Sequence, residues 1–299
     1  MDGILNINKP WGKTSFSIVS LVRRLSGEKR VGHAGTLDPA ATGVLPVCLG
    51  QGTRVVEFLM EAPKSYRAEI ELGVATDSQD ATGTVISRGD PSGVTKKKLL
   101  EALDSFRGLI EQTPPMYSAI KRDGKPLYQL ARSGITVKRQ SRKRWVYRLE
   151  LIAWQPPVAT IEVECGRGTY IRALADDLGR LLGCGAMLKN LIRLSCGIFN
   201  IEDAVSLPQL EAAFRHGYWE QLLYPIDSVL GEWPAIVLDG AAEEAMKNGR
   251  PLSLEGVDLP PTGEGRCRAY GRDGSFLGTL GFDAEKGQWR PEKVLASDR

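Results

Sequence analysis

Apolar and polar positions alternate in four stretches of the chain. "YRAEIELG" (66–73), "TGTVISRG" (82–89), "WVYRLELIAW" (145–154) and "ATIEVEC" (159–165) read as strands by period and by β-rich composition. In the last, Ile161, Val163 and Cys165 face one way and Glu162 and Glu164 the other. Helical periodicity occupies 14–25, about 95–107, 127–133 and 170–182. In the fourth of these, Ile171, Leu174, Leu178, Leu181 and Leu182 form one apolar stripe, and Gly183 suits the stop. Paired strands with helices between them predict a mixed α+β sheet rather than regular βαβ winding. Near residue 230 the composition shifts. Beyond it the chain is rich in Gly and Pro, and "RCRAYGRDGSFLGTLGF" carries two turn signals. The expected organisation is a large domain over 1–230 and a small β-rich domain over 231–299.

Composition narrows the chemistry. Of 299 residues 42% are hydrophobic and 25% charged, as in ordinary soluble domains. No apolar run approaches the ~20 residues of a membrane helix. The start, "MDGILNINKP", lacks a basic region followed by an apolar stretch, so no secretory leader and a cytoplasmic location are expected. The five cysteines are scattered without a C-x-x-C pair, and the two histidines are far apart. Buried reduced thiols are expected, and no zinc site. Neither a phosphate-binding G-x-x-x-x-G-K-[ST] loop nor a dinucleotide G-x-G-x-x-G fingerprint is present, so any catalysis is expected from side chains alone. The net charge is only +3, but residues 121–148 hold ten Lys/Arg and one acid, Asp123, with Tyr128, Trp145 and Tyr147 interleaved. Positive charge with flat aromatics suits a phosphate backbone with accessible bases; a solvated basic face is the plainer alternative.

Four stretches could carry chemistry. "GHAGTLDPAATG" (32–43) sets Asp38 before a proline among small residues. Such an acid can cap its own turn, or serve as nucleophile or base if held ionised, as a nearby arginine would hold it. "CGRGTYIRALADDLG" (165–179) ends a strand, turns through Gly-Arg-Gly and opens a helix with Tyr170 and Arg172 at its start. "KSYRAEIELG" begins a strand at Tyr66. In "NKPWGKTS" (8–15), Lys9 and Pro10 form an extended turn, and Thr14 or Ser15 caps the next helix. Each has a structural reading as well: packed aromatic, surface charge or helix entry.

Taken in order, "NKPWGKTS", "RVGHAGTLDPAATGVLPVCLGQGTR", "KSYRAEIELGVATDSQDATG", "QTPPMYSAIKRDGKPLYQLARSG", "GRGTYIRALADDLGRLLGCGA" and "LKNLIRLSCGIF" resemble the TruB family of tRNA pseudouridine synthases over about residues 1–230. The last 65–70 residues resemble the PUA module. The resemblance implies a mixed, mainly antiparallel β-sheet flanked by helices, plus a small PUA-like RNA-binding domain. It implies conversion of uridine 55 in the T arm of tRNA to pseudouridine, without cofactor or metal, by a protein expected to be a monomer. Asp38 matches the catalytic aspartate. Tyr66 matches the tyrosine that stacks on the flipped base, and Tyr170 a candidate proton-transfer group. Arg172 matches the arginine paired with the aspartate, Leu191 an apolar residue near the base, and His33 the histidine that fills the opened RNA loop. Lys9 and Pro10 fall with the substrate-binding residues. Lys121, Arg122, Lys138, Arg139, Arg142 and Lys143 belong to a basic, RNA-facing insertion at 121–148. Base extrusion costs a few kcal/mol, which stacking can offset.

One block departs from the family: Ile192 precedes Arg193 where two arginines are frequent, a difference that touches one RNA contact and not the chemistry. Arg172 is expected to be the main partner of Asp38, with few competitors. Three alternatives follow. A guide-RNA-dependent subunit is disfavoured by the absence of a long Lys-rich tail. The others are a tRNA-folding chaperone that binds without catalysis, and an aspartate-based hydrolase, for which no matched block offers a second acid.

Overall fold

The computed structural model describes residues 1–118, 120–122, 124–252 and 265–295, excepting the side chains of residues 121, 122 and 132. Asp123 and the side chains of Lys121 and Arg122 therefore lie outside the described residues. In chain order the first half holds β1 (Gly3–Lys9), α1 (Ser15–Ser26), β2 (Val31–His33), β3 (Thr42–Leu49), α2 (Val56–Glu61), β4 (Lys64–Leu72), β5 (Val74–Thr76), β6 (Val85–Arg88), α3 (Lys96–Asp104) and β7 (Gly108–Gln112). After the short β8 (Lys121–Arg122), β9 (Lys125–Pro126) and α4 (Leu127–Arg132) come β10 (Arg142–Gln155), β11 (Val158–Cys165), α5 (Ile171–Leu181), β12 (Ala186–Cys196), β13 (Phe199–Asn200), α6 (Leu207–His216) and β14 (Leu223–Tyr224). The last part holds β15 (Ala235–Val237), α7 (Gly240–Lys247), β16 (Arg266–Tyr270), β17 (Phe276–Asp283) and β18 (Gln288–Val294).

A ten-stranded sheet runs β14-β1-β3-β12-β4-β11-β10-β7, with β2 on β3 and β13 on β12. Every pairing in it is antiparallel except β3 with β12. The fold is thus α+β with a mainly antiparallel sheet, and its one parallel seam lies where the two halves meet. Gly43 sits at that seam opposite Arg193 with φ 101°, and a Cβ there would lie 2.2 Å from the Arg193 carbonyl oxygen. Only glycine permits that approach.

The alternation read from sequence sets the core. Ile161, Val163 and Cys165 of β11 join Ala68 and Ile70 of β4 beneath Ile171, Leu174 and Leu178 of α5. Burying such side chains is worth about 1.5–3 kcal/mol each. Leu181 is the exception in the α5 stripe, at 57% exposure, because it lies at the helix end beyond the sheet-facing arc. Thr14 caps α1 by accepting from the Ser17 amide, and Gly27 closes it in a left-handed conformation.

Two expectations need correcting. The strand over 82–89 shrinks to the exposed β6, paired only with β5. Arg142 and Lys143, placed in an insertion, belong to β10 and pair with Gln112 and Glu111 of β7, in the strand where Trp145 pairs with Leu109. Polar and aromatic alternation carried one strand through what composition made look like a single basic segment. Beyond 230 the expected small β-rich part is present as the four-stranded sheet β15-β16-β17-β18, with α7, capped by Asp239, beside it. That sheet and the segment leading into it touch the larger unit: Trp233, just before β15, packs edge-on against Phe58 at 5.0 Å, and Lys293 of β18 pairs with Glu57 at 2.8 Å.

Candidate active site

Asp38 lies in the loop between β2 and β3. Both its neighbours are tied to the segment entering α1. Ser15 Oγ donates to the Leu37 carbonyl (3.1 Å) and accepts from the Leu37 amide (2.9 Å), while the Gly12 amide donates to the Pro39 carbonyl (2.8 Å). Lys9, at the end of β1, is fully buried. Its Nζ donates to the carbonyls of Pro10 (2.9 Å), Lys13 (2.7 Å) and Pro39 (3.3 Å). Lys9 is thus an internal clamp on the loop. Burial pushes its pKa down to about 8, against the pull of Asp38 and with a further push from Arg193.

Arg172, on the first turn of α5, is buried; its Nη2 reaches Asp38 Oδ2 at 3.0 Å. The same guanidinium meets Asp80 Oδ2 at 3.5 Å and donates to the carbonyls of Tyr117 (2.9 Å) and Ser78 (3.3 Å). Arg172 is therefore shared between two carboxylates, with Asp80 its one competitor to Asp38 among the described residues. Asp80 is also the second acid that no matched block was expected to supply. It stands in one of those blocks, "KSYRAEIELGVATDSQDATG", disguised as part of a polar turn.

That turn is tightly built. Asp80 Oδ1 accepts from Ser78 Oγ (2.7 Å), Thr82 Oγ1 (2.6 Å) and the Thr82 amide (3.0 Å). Gln79 adopts φ 66°, the only positive φ of a non-glycine residue among the described residues. Its Nε2 donates to Asp176 Oδ2 of α5 at 2.7 Å. One helical turn earlier on α5, Arg172 holds Asp80. Two contacts four residues apart on α5 thus staple the turn beside Asp38, an arrangement that offsets the backbone strain at Gln79.

Asp38 balances opposing influences. Desolvation pushes its carboxyl above the usual carboxylate range, and Asp80 adds to this; Arg172 and Lys9 pull the other way. Yet the side chain is 42% exposed, so the group is reachable. It lines a recess of about 30 Å³ with Asp80, Arg172, Ala40, Ala41 and Leu191. A larger cavity, about 550 Å³, lies across the 77–82 turn against Asp176 and Arg180 and does not include Asp38.

Tyr66 of β4 and Leu191 of β12 pack on the edge of the core under α5. Burial pushes the Tyr66 phenol up to about 12, while a hydrogen bond with Arg193 pulls the other way. Tyr170 is the residue before α5. Gln112 brackets its backbone, donating to the Tyr170 carbonyl (2.9 Å) and accepting from its amide (2.8 Å). Gln112 was missed in the sequence, where its only signal was a polar residue on the inward register of Ile110. His33 ends β2, half-buried, with Nδ1 unpartnered; burial and then Arg193 push its pKa down.

Arg193 faces the protein interior. It is 1% exposed, and its Nε donates to the Val44 carbonyl (2.5 Å) and its Nη1 and Nη2 to the Gly35 carbonyl (3.3 and 3.2 Å). It braces the Asp38 loop from β12. Of the basic residues, Lys138, Arg142 and Lys143 are exposed, whereas Arg139 turns inward, donating to the Pro114 carbonyl at 3.0 Å. All five cysteines are buried and free. Among the described residues, no three His, Cys, Asp or Glu side chains converge as metal ligands would. Among the described residues, no helix is long and apolar enough to cross a membrane.

Comparison with known proteins places this geometry. Residues 23–171 match the TruB family pseudouridylate synthase N-terminal domain, and residues 172–231 match the tRNA pseudouridylate synthase B C-terminal domain. The chain is 46% identical over 295 residues to tRNA pseudouridine synthase B of Dehalococcoides mccartyi, covering 99% of this chain and 97% of that one. It is 42% identical over 300 residues to the protein of the same name from an Azoarcus species, covering 99% and 96%. Among solved structures it is similar to one in a Cbf5-Nop10-Gar1 complex (TM-score 0.74, 25% identity, 99% of this chain and 84% of that one). It is equally similar to one in the archaeal box H/ACA sRNP Nop10-Cbf5 complex (TM-score 0.74, 25% identity, 98% and 85%). With relatives matched from end to end and Asp38 and Arg172 joined in one site, the chain belongs to the TruB family of pseudouridine synthases, isomerases of tRNA uridine.

Proposed function

We propose that this protein isomerises uridine 55 in the T arm of tRNA, acting alone, with Asp38 as the catalytic carboxylate. The observation that carries this reading is the reachable Asp38 carboxylate held at 3.0 Å by a buried arginine. In the reaction the C1′–N1 bond breaks, the freed uracil turns, C5 bonds to C1′, and the C5 proton moves to N1. Whether Asp38 adds to C1′ or takes a proton on the way to a glycal, it must be ionised. Arg172 and Lys9 supply the positive field that opposes its desolvation. Tyr66 stacks on the extruded base, Leu191 packs beside it, and Tyr170 is the proton-transfer group. His33 fills the space the base leaves in the RNA loop. Lys138, Arg142 and Lys143 contact phosphates, and recognition is by loop shape.

Residues 1–230 form the catalytic unit, and 231–299 a PUA-like unit that binds RNA. The protein works as a cytoplasmic monomer. Stand-alone action is favoured over guide dependence by 40–46% identity to proteins named for tRNA, against 25% to the Cbf5 structures. The test is purified protein on a bare T-arm stem-loop, with pseudouridine mapped by sequence. Conversion at the single loop uridine is expected. No conversion until a guide RNA or partner proteins are added would overturn the stand-alone reading, and conversion elsewhere would overturn the site.

A further inference from the structure

Two large aromatics stand in water beside the Asp38 loop. Trp11 is 71% exposed, the most exposed large apolar residue described, and Phe16 is 67% exposed. Both come from the segment entering α1, the motif "NKPWGKTS" and the residue after it, of which the reading above uses only Lys9 and Pro10. Neither is loosely placed. Lys9, Gly12 and Ser15 fix this segment to Leu37 and Pro39, the two residues flanking Asp38. Trp11 lies between two of these attachments, so its backbone is fixed relative to Asp38.

The stretch of chain that carries the pair holds charge of one sign. No Asp or Glu occurs between Asp2 and Glu28, and from Glu28 to Glu57 the only carboxylate is Asp38; Lys13, two residues after Trp11, is exposed, while Lys9 is buried and Arg23 and Arg24 lie in the last turn of α1. An exposed indole on backbone tied to the Asp38 loop, in a stretch of chain without acids and with exposed Lys13 two residues on, matches what unpaired bases require: a flat apolar face with phosphate-compatible flanks. A protein partner gives no such reason for this stretch to lack acids.

We propose that Trp11, with Phe16 flanking it, is a stacking shelf for an unpaired nucleobase of the substrate loop other than the target uridine. The proposal deepens the function stated above and rests on it. The shelf adds binding and loop-opening energy rather than chemistry, because neither ring carries a group that can move a proton at the uridine.

The test uses full-length W11A, F16A and W11F with the T-arm stem-loop, reading conversion kinetics and, independently, RNA binding. W11A is expected to raise KM and Kd about 5- to 100-fold, the range of one base stack, with kcat changed little. F16A should do so less, and W11F should recover most of the loss. Stem-loops made abasic at one loop position at a time supply the second arm: at one non-target position the abasic RNA should erase the difference between W11A and the parent. Unchanged melting temperatures exclude unfolding. KM and Kd within twofold of the parent for W11A overturn the shelf, as does a W11A penalty undiminished at every abasic position. Those results leave the isomerase reading standing if the parent still converts uridine. A parent that binds through Trp11 but converts nothing overturns the isomerase reading instead.

Discussion

Lys9, Lys64 and Arg193 are buried with no carboxylate at ion-pair distance among the described residues, whereas Arg67, Arg148 and Lys189 lie exposed and paired with Glu162, Glu150 and Glu71. The buried three are satisfied by backbone carbonyls. Lys64 donates to those of Leu59 (2.8 Å), Met60 and Ala62 (2.6 Å each), just as Lys9 and Arg193 grip the loop around Asp38. The exposed three decorate the sheet face turned away from α5, where alternation along β4 and β11 sends Arg67, Glu69 and Glu162 outward. The difference separates two uses of charge. Cations held by carbonyls fix backbone and keep their positive field; that of Lys9 reaches Asp38. Cations paired with glutamate in water cancel their field and contribute about 0–1 kcal/mol each.

The sharpest break in this picture is Arg172→Ala. Without the guanidinium, Asp38 and Asp80 face each other with only Lys9 opposing their repulsion, and turnover should fall by roughly 10³-fold. Sign matters for pH. A carboxyl pushed above its ordinary range is protonated, and idle, at a pH where a free carboxylate is still active. The acid limb of the parent's kcat profile should therefore lie above the usual carboxylate range. Residual activity of Arg172→Lys should keep that limb, while Arg172→Gln should move it further up. In the parent, an alkaline limb near pH 8 is expected as Lys9, lowered to about 8, loses its proton and its grip. Next in size is Arg193→Met, which strands the Val44 and Gly35 carbonyls. Thermal or urea unfolding should show a loss of ~3–5 kcal/mol, and a loss below ~1 would deny Arg193 its bracing role.

Neutralising Lys138, Arg142 and Lys143 together should weaken tRNA binding and lower the salt slope by about 2–3 units, with single-turnover catalysis on bound RNA nearly unchanged. Arg139 is left out of this set because it serves the protein interior. Gln79→Gly relieves the left-handed backbone but removes the tie to Asp176. A kcat loss of roughly 10-fold at constant KM is expected, and unchanged kcat would show that the tie does not position Asp80. Smallest is Arg67→Ala on the exposed face, below ~1 kcal/mol in stability and without effect on turnover.

Much of the fold was legible because period alone fixes which face of β11 or α5 is buried. The Asp38–Arg172 pairing was legible through the matched blocks, although they stand 134 positions apart (172 − 38). Asp80 and Gln79 were not, because a polar run "TDSQD" has the composition of any surface turn; only its docking on α5 makes it part of the site. The bracing role of Arg193 was equally hidden. An arginine on a strand has the composition of surface charge until the Val44 and Gly35 carbonyls are seen to accept from its guanidinium. The basic stretch over 121–148 was one signal in composition but two objects in space, a connection and a strand, because charge count ignores alternation.

The central claim is that the Asp38 carboxylate performs the chemistry while the rest of the loop holds RNA. The measurement is Asp38→Asn, isosteric and still able to hydrogen-bond, assayed for pseudouridine under single-turnover conditions with tRNA affinity determined on the same preparation. No detectable pseudouridine at an affinity within about twofold of the parent is the predicted result. Pseudouridine formed at a rate comparable to the parent would contradict the account.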